Sequence, residues 1–401
     1  MKNLLAGILI LVISITCLSN ELDVIKKLFV KDADYSTLFA PIFLKQVPAD
    51  KIAPVLIKMG EDLGAVKELK KEDNKNFIVF EKGRVPYQIS FDENGLINGF
   101  FIGSPERDDD TLDKVLEDIK NISEKYSVCV MKDGKEVVLD INSEKPLAVG
   151  SAFKLYVLKA LDLKIKSSKT RKNIIYGGKK YDYNQILRLK KESYSLPSGM
   201  IQNWKADTPM TIRSIANLMI SISDNTATDH LIDYVGRKKI EEVLPVYYTK
   251  PFLKTSEMFK LKSKGNEAII TEYIRSNEDS RISMLNKLKK FPLEKVEFKS
   301  NPTHNDKVEW HINTHDLCKV IYEMKDNESI QINTGLLEDQ KLSLKGYKGG
   351  SEPGVMNMTH VFQKDAKSPV YSVSCTFNSK KALDQNEIGM VVSRLIKQFI
   401  K

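Results

Sequence analysis

The stretch Gly150-Ser151-Ala152-Phe153-Lys154-Leu155-Tyr156-Val157-Leu158-Lys159-Ala160-Leu161 decides the fold. Gly150 and Ser151 break the extended segment before them, and no Gly or Pro interrupts the residues that follow. Phe153, Val157, Leu158 and Leu161 recur at helical spacing, which predicts a helix with one buried face. Lys154 follows Ser151 by three positions, so both side chains lie on the same side of the first turn. A serine hydroxyl is a weak nucleophile at neutral pH. An amine kept partly neutral by burial and neighbouring charge can take its proton. Unpaired backbone N–H groups at a helix N-terminus suit a developing oxyanion. The same residues also fit a serine cap followed by a surface lysine, so the rest of the chain has to decide.

The chain of 401 residues has room for about two or three domains and a sizeable core. Apolar residues make up 42% and charged residues 29%, an ordinary globular balance. The net charge of +9 comes from lysines spread along the whole length, with local densities at 164–180 and 287–290. Neither density carries interleaved aromatics, so both read as solvated faces and nucleic acid is not an expected partner. At the N-terminus, Lys2 precedes an almost wholly apolar run from Leu4 to Thr16, and Cys17-Leu18-Ser19 suits cleavage after Ser19. Residues 1–19 therefore read as a secretory signal, and the protein as exported to the periplasm or beyond. Lipid attachment at Cys17 is the alternative, though Ser14 and Thr16 fit that signal poorly. The apolar run is too short for a comfortable span, and the mature chain is expected to have no stable one. Cys129, Cys318 and Cys375 remain after cleavage, an odd number without framework spacing, so buried free thiols are expected. His311 and His315 lack the intervening Glu of a zinc helix, and neither a metal nor a cofactor is expected.

Residues 20–103 read as a small domain of their own. Leu22–Val30, Tyr35–Leu44 and Ala49–Leu63 have helical spacing. Phe77–Phe80, Val85–Phe91 and Ile97–Ile102 alternate like strands, and Asp92-Glu93-Asn94-Gly95 joins the last two as a hairpin. Residues 104–110 are polar, acidic and turn-forming, and read as a linker. In residues 111–401, strands are expected near both ends: Tyr126–Met131 and Glu136–Ile141 early, and Leu342–Tyr347, Val355–Phe362 and Val370–Phe377 late. A long helical middle separates them, and Asn386–Ile400 closes as an amphipathic helix. The expected class is thus α+β in two domains, the second with an antiparallel sheet flanked by helices and a helical subdomain. A cleft between that sheet and the helical part is the natural site.

Two further stretches carry chemistry. Ser223-Asp224-Asn225 falls on the connection between a helix capped by Thr211 and a helix carrying Leu231, Ile232 and Val235. By itself it is also an ordinary capping turn. Lys348-Gly349-Gly350-Ser351 follows a strand-like run, where the glycines permit close backbone approach and Lys348 offers a charge for a carboxylate. By itself it is also a plain loop.

In order, the three stretches read S-x-x-K, S-D-N and K-G-G, which resembles the S-x-x-K, S-D-N and K-T-G set of class A β-lactamases and penicillin-binding proteins. Leu196-Pro197-Ser198-Gly199 and Ile220–Thr228 strengthen that resemblance, which spans roughly residues 111–401. Residues 20–103 resemble, by pattern, the cystatin-like or nuclear-transport-factor-like domain that precedes some β-lactamase-like serine hydrolases, including cephalosporin esterases.

The resemblance implies that Ser151 is acylated by a carbonyl substrate and that Lys154 helps to remove its proton. Ser223 would pass a proton to the leaving group, with Lys348 supporting that transfer and attracting a substrate carboxylate. The backbone N–H groups of Ser151 and Ser351 would form the oxyanion hole. Asn225, Gly349, Gly350 and Ser351 would contact substrate. Gly349 stands where the family usually has Thr, and Ser351 is a candidate to replace that hydroxyl. The family's E-x-x-L-N deacylation motif is missing between Asn225 and Lys348. Glu309 and Asp306 are candidate bases by location alone. A β-lactam substrate is expected first, with an ester or a D,D-peptide (a peptidoglycan stem) as alternatives. A non-catalytic acyl-binding sensor or envelope scaffold is the reading from a different class.

Overall fold

A computed structural model describes residues 21–72, 75–103, 105–108, 110–170 and 182–400, with the side chains of 168–170 excepted. The expected signal, the Cys17 alternative and most of the 164–180 lysine density lie outside the described residues. The architecture is α+β, and the chain divides into two compact units. One runs to Glu117 and takes in Asn386–Gln398; the other is Asp118–Gln385 with the last residues of the chain.

In the first unit, helices precede an antiparallel sheet. The expected helix Tyr35–Leu44 is two, Tyr35–Leu38 and Pro41–Gln46. Pro41 lacks the N–H needed to continue the first and instead starts the second. The sheet order is Val66–Glu72, Lys75–Phe80, Gly83–Phe91, Ile97–Ile102. The first of these strands was not expected. Its sequence Val-Lys-Glu-Leu-Lys-Lys-Glu is nearly all charged because it is an edge strand with mostly exposed side chains. The hairpin at 92–95 is as expected: Asp92 Oδ1 accepts from the N–H groups of Asn94 and Leu96, and Gly95 takes φ +78°. Ile25, Leu28, Phe39, Leu56, Leu63, Ile78, Phe80 and Val85 form the core.

Residues 105–108 and 110 do not behave as a linker. Glu106–Arg107 pairs with the strand Gly83–Phe91, and Glu106 accepts from Arg84 Nε at 2.8 Å. Residues 386–398 join this unit through Lys58–Glu387 at 2.9 Å and Arg394 Nε–Asp110 Oδ1 at 2.8 Å. Neither pairing has a signal in hydrophobic spacing.

The second unit is built on a five-stranded antiparallel sheet of order Leu344–Glu352, Val355–Gln363, Val370–Asn378, Lys125–Lys132, Glu136–Ile141. Strands from both ends of the segment thus lie in one sheet, with the helical middle between them in sequence. Lys154–Thr170 is buried around its first turns rather than on one face: Leu155, Tyr156, Val157, Leu158, Ala160 and Leu161 are all below 5% exposure. A helix that is apolar all round belongs in the middle of a core. Cys129, Cys318 and Cys375 are buried free thiols. Among the described residues no helix is long and apolar enough to cross a membrane.

Candidate active site

Ser151 does not begin an α-helix directly. Gly150–Phe153 is a single 3₁₀ turn, and the α-helix starts at Lys154. Gly150 takes φ +51°, which turns the chain from the short strand Leu147–Ala148 into that turn. Phe153 anchors it, stacking on Trp310 at 3.9 Å between ring centres and meeting Phe252 edge-on at 5.5 Å. Trp310 is fixed in turn by its indole N–H, which donates to the Leu253 carbonyl at 3.1 Å. The turn that carries Ser151 therefore rests on a rigid aromatic stack.

Ser223 lies between the helices Ile212–Ser221 and Asn225–Val235, at φ +57°. A non-glycine residue in that region is strained and has to be held by its surroundings. Asp224 does the holding. It is fully buried and caps the second helix by accepting from Ala227 N–H at 2.8 Å. Its other oxygen accepts from the N–H groups of Met200 and Ile201 at 2.7 and 3.0 Å. Gly199 is required there, since a Cβ would come within 2.2 Å of the Asp224 carboxyl.

The expected loop at Lys348-Gly349-Gly350 is the middle of the strand Leu344–Glu352, paired to Thr359, Met358 and Asn357. The close backbone approach expected of these glycines is present, made from within a strand. A Cβ on Gly350 would lie 2.2 Å from Ser151 N and 2.3 Å from Val149 O. The same close approach brings Ser351 N to 3.0 Å from a Cβ built on Gly150. Both obstacles at Gly350 are backbone atoms, so Gly350→Ala should push the strand away from Ser151. If those two N–H groups hold an oxyanion, acylation rates should fall about 10²–10³-fold, with the melting temperature showing that the protein still folds.

These elements converge on one cleft of about 580 Å³, lined by Ser151, Ser223, Asn225, Lys348, Gly349, Gly350 and Ser351 among others. Lys154 is fully buried beneath it. Its ammonium nitrogen donates to Asn225 Oδ1 at 2.7 Å, to the Ser223 carbonyl at 2.7 Å and to Ser223 Oγ at 3.0 Å. Lys348 Nζ reaches the same Ser223 Oγ at 3.1 Å and the Gly349 carbonyl at 2.5 Å. Two buried amines on one hydroxyl oxygen cannot both stay charged cheaply, and their titrations are linked. Burial, and then the Lys348 charge, hold Lys154 well below the usual lysine range. Burial pulls Lys348 down to about 7. Holding the amine below the usual lysine range raises the neutral fraction that can accept a proton.

The two candidate bases fall elsewhere. Neither Glu309 nor Asp306 lines the cleft. Asp306 is exposed on a turn. Glu309 is buried, with one oxygen accepting from Trp310 N–H at 3.0 Å and the other 3.6 Å from Lys262 Nζ. Burial, reinforced by Glu352, pushes its carboxyl well above the usual range. Lys262 also pairs with Glu352 at 2.9 Å. Sequence reasoning missed several lining residues: Thr255, Phe259, Trp310, Tyr347 and Glu352. Alternation along Leu344–Glu352 was the one available signal, placing Tyr347, Gly349 and Ser351 on one face.

Residues 110–271 match the model of the β-lactamase enzyme family (Beta-lactamase2). That span holds S-x-x-K and S-D-N and ends before Lys348. No curated protein sequence matches the chain. Among solved structures, a β-lactamase from Sphaerobacter thermophilus is 17% identical, with 72% of this chain and 97% of that one covered and a TM-score of 0.47. The penicillin-G acyl-enzyme of a PBP-A mutant is 14% identical, with 72% and 96% covered and a TM-score of 0.47. A class A β-lactamase from Mycobacterium abscessus is 14% identical, with 71% and 97% covered and a TM-score of 0.43. Residues 110–271 are thus similar to the β-lactamase enzyme family.

Proposed function

We propose that this protein is an exported serine hydrolase that works through an acyl-enzyme on Ser151, with β-lactams as acylating substrates. The observation that carries the reading is the convergence of Lys154 and Lys348 on Ser223 Oγ, at 3.0 and 3.1 Å, inside the cleft that Ser151 lines. Lys154 takes the Ser151 proton as the hydroxyl attacks the carbonyl. The Ser151 and Ser351 N–H groups receive the oxyanion. Ser223 passes a proton to the departing nitrogen, with Lys348 favouring that transfer and attracting a substrate carboxylate. Asn225 fixes Lys154 and closes on the substrate amide. Export rests on residues 1–19.

A second reading, an esterase that β-lactams acylate but leave slowly, is favoured by one observation. Among the described residues Glu352 is the one carboxylate that lines the cleft, and it is tied to Lys262 at 2.9 Å. A missing base costs about 10²–10⁴ in its own step, so deacylation should lag acylation. Pre-steady-state traces with nitrocefin should show a burst near one product per enzyme followed by slow turnover, and an aryl acetate should turn over faster. Rapid nitrocefin turnover without a burst would identify a β-lactamase with an efficient deacylating base.

A further inference from the structure

Tyr347 stands in an unusual relation to the residue two positions on. A Cβ built on Gly349 would lie 2.0 Å from the Tyr347 hydroxyl oxygen. The phenol therefore occupies the place that a side chain at 349 would take, and this, rather than a turn, explains the glycine. The ring is clamped. It packs tilted against the buried His360 at 4.6 Å between ring centres, and a Cβ on Gly335 would meet its other atoms at 2.8 Å. Burial pushes the phenol up to about 12 and His360 down to about 3, so at neutral pH the first keeps its proton and the second is uncharged. Tyr347 and Gly349 both line the cleft beside Lys348. Among the described residues nothing hydrogen-bonds the Tyr347 hydroxyl, and Tyr347 lines the cleft. It is a fixed donor with its hydrogen bond still to make, in the cleft that Lys348 also lines. Ser351, the sequence's candidate for a hydroxyl here, lines the same cleft.

We infer that the Tyr347 hydroxyl donates a hydrogen bond to the substrate carboxylate held by Lys348, making Tyr347 a specificity-determining residue for anionic substrates. The inference rests on the proposed role of Lys348 as the anion anchor. Donation by a neutral phenol to a carboxylate is charge-assisted, so it favours an acid over its ester. No covalent step is involved.

The test uses Ser151→Ala protein, which cannot be acylated at that position, and compares it with Ser151→Ala/Tyr347→Phe. Benzylpenicillin and its methyl ester are titrated calorimetrically into each. The phenylalanine keeps the ring on His360 and removes only the hydroxyl. Binding of the acid should weaken about 10–100-fold, and binding of the methyl ester by less than about twofold. Equal weakening of both ligands, no weakening of either, or no binding of the acid to Ser151→Ala protein would each overturn the inference. Failure of the unaltered chain to be acylated would sink the proposed reaction, whereas this equilibrium comparison is read without any reaction.

Discussion

Lys154→Met protein should fold, bind substrate and lose acylation by about 10²–10⁴-fold, the range for a missing general base. Methionine matches the lysine stem in length, and the site is fully buried beneath the cleft. The amine's three acceptors are the Asn225 amide oxygen and the carbonyl and hydroxyl of Ser223. All three lose a donor, but each belongs to an element held independently. Asn225 also donates to the Leu196 carbonyl at 2.9 Å, and Asp224 keeps the Ser223 turn through its bonds to Met200, Ile201 and Ala227. The loss should therefore appear in the rate of acylation and much less in affinity. It should also remove the acid limb of the pH profile. In the unaltered protein, acylation rises with pH as Lys154 gives up its proton below the usual lysine range; in Lys154→Met that rise should vanish. Single-turnover acylation measured from pH 5 to 9 checks both. An unchanged rate would remove Lys154 from the reaction.

The second large effect concerns Lys348, whose amine burial holds near 7. Below that pH it is charged and attracts a carboxylate; above it the attraction fades. Acylation by carboxylate-bearing substrates should therefore decline above about pH 7, while neutral esters should show no such decline. Stability runs the other way. The unfolded chain holds the Lys348 proton up to the ordinary lysine range, whereas the folded chain releases it near 7. Between those values the unfolded state binds more protons, so folding stability rises with pH, by at most about 1.4 kcal/mol per unit from this group. Below pH 7 the full cost of the buried charge is present. Lys348→Met should then melt higher than the unaltered protein at pH 6, by roughly 3–8 °C, with the gap closing toward pH 10. The same variant should lose most acylation by benzylpenicillin and little by a neutral aryl ester. Equal losses on both substrates, with no gain in melting temperature at pH 6, would make Lys348 a structural residue. A lysine kept at a cost in stability is what a functional site would show.

Much of the site was legible because its chemistry is written in short motifs. Ser223 lies between two helices whose apolar spacing is clear, with Asn225 opening the second, whereas Ser151 lies on a 3₁₀ turn and Lys154 opens the α-helix after it. Lys348 lies in the same cleft, and the close backbone approach expected of Gly349 and Gly350 is there, but the strand that carries them runs on past Tyr347 to Glu352 because glycines break the strand pattern in sequence. Thr255, Phe259, Trp310 and Glu352 enter the cleft from distant parts of the chain, and spacing carries no record of that. Glu309 looked available in sequence because its acidity could be seen and its burial beside Lys262 could not. In the first unit, the charged edge strand Val66–Glu72 and the ion-paired Glu106, Arg107 and Asp110 were hidden for a common reason: charged residues form elements through pairing rather than through hydrophobic periodicity.

The central claim is that Ser151 becomes covalently acylated. Protein incubated with benzylpenicillin, quenched in acid, digested and analysed by mass tests it most directly. The expected result is one penicilloyl adduct per chain on the peptide containing Ser151, absent from Ser151→Ala protein treated in the same way. An adduct that persists in Ser151→Ala, or a Ser151 peptide left unmodified by both benzylpenicillin and an aryl ester, would contradict it.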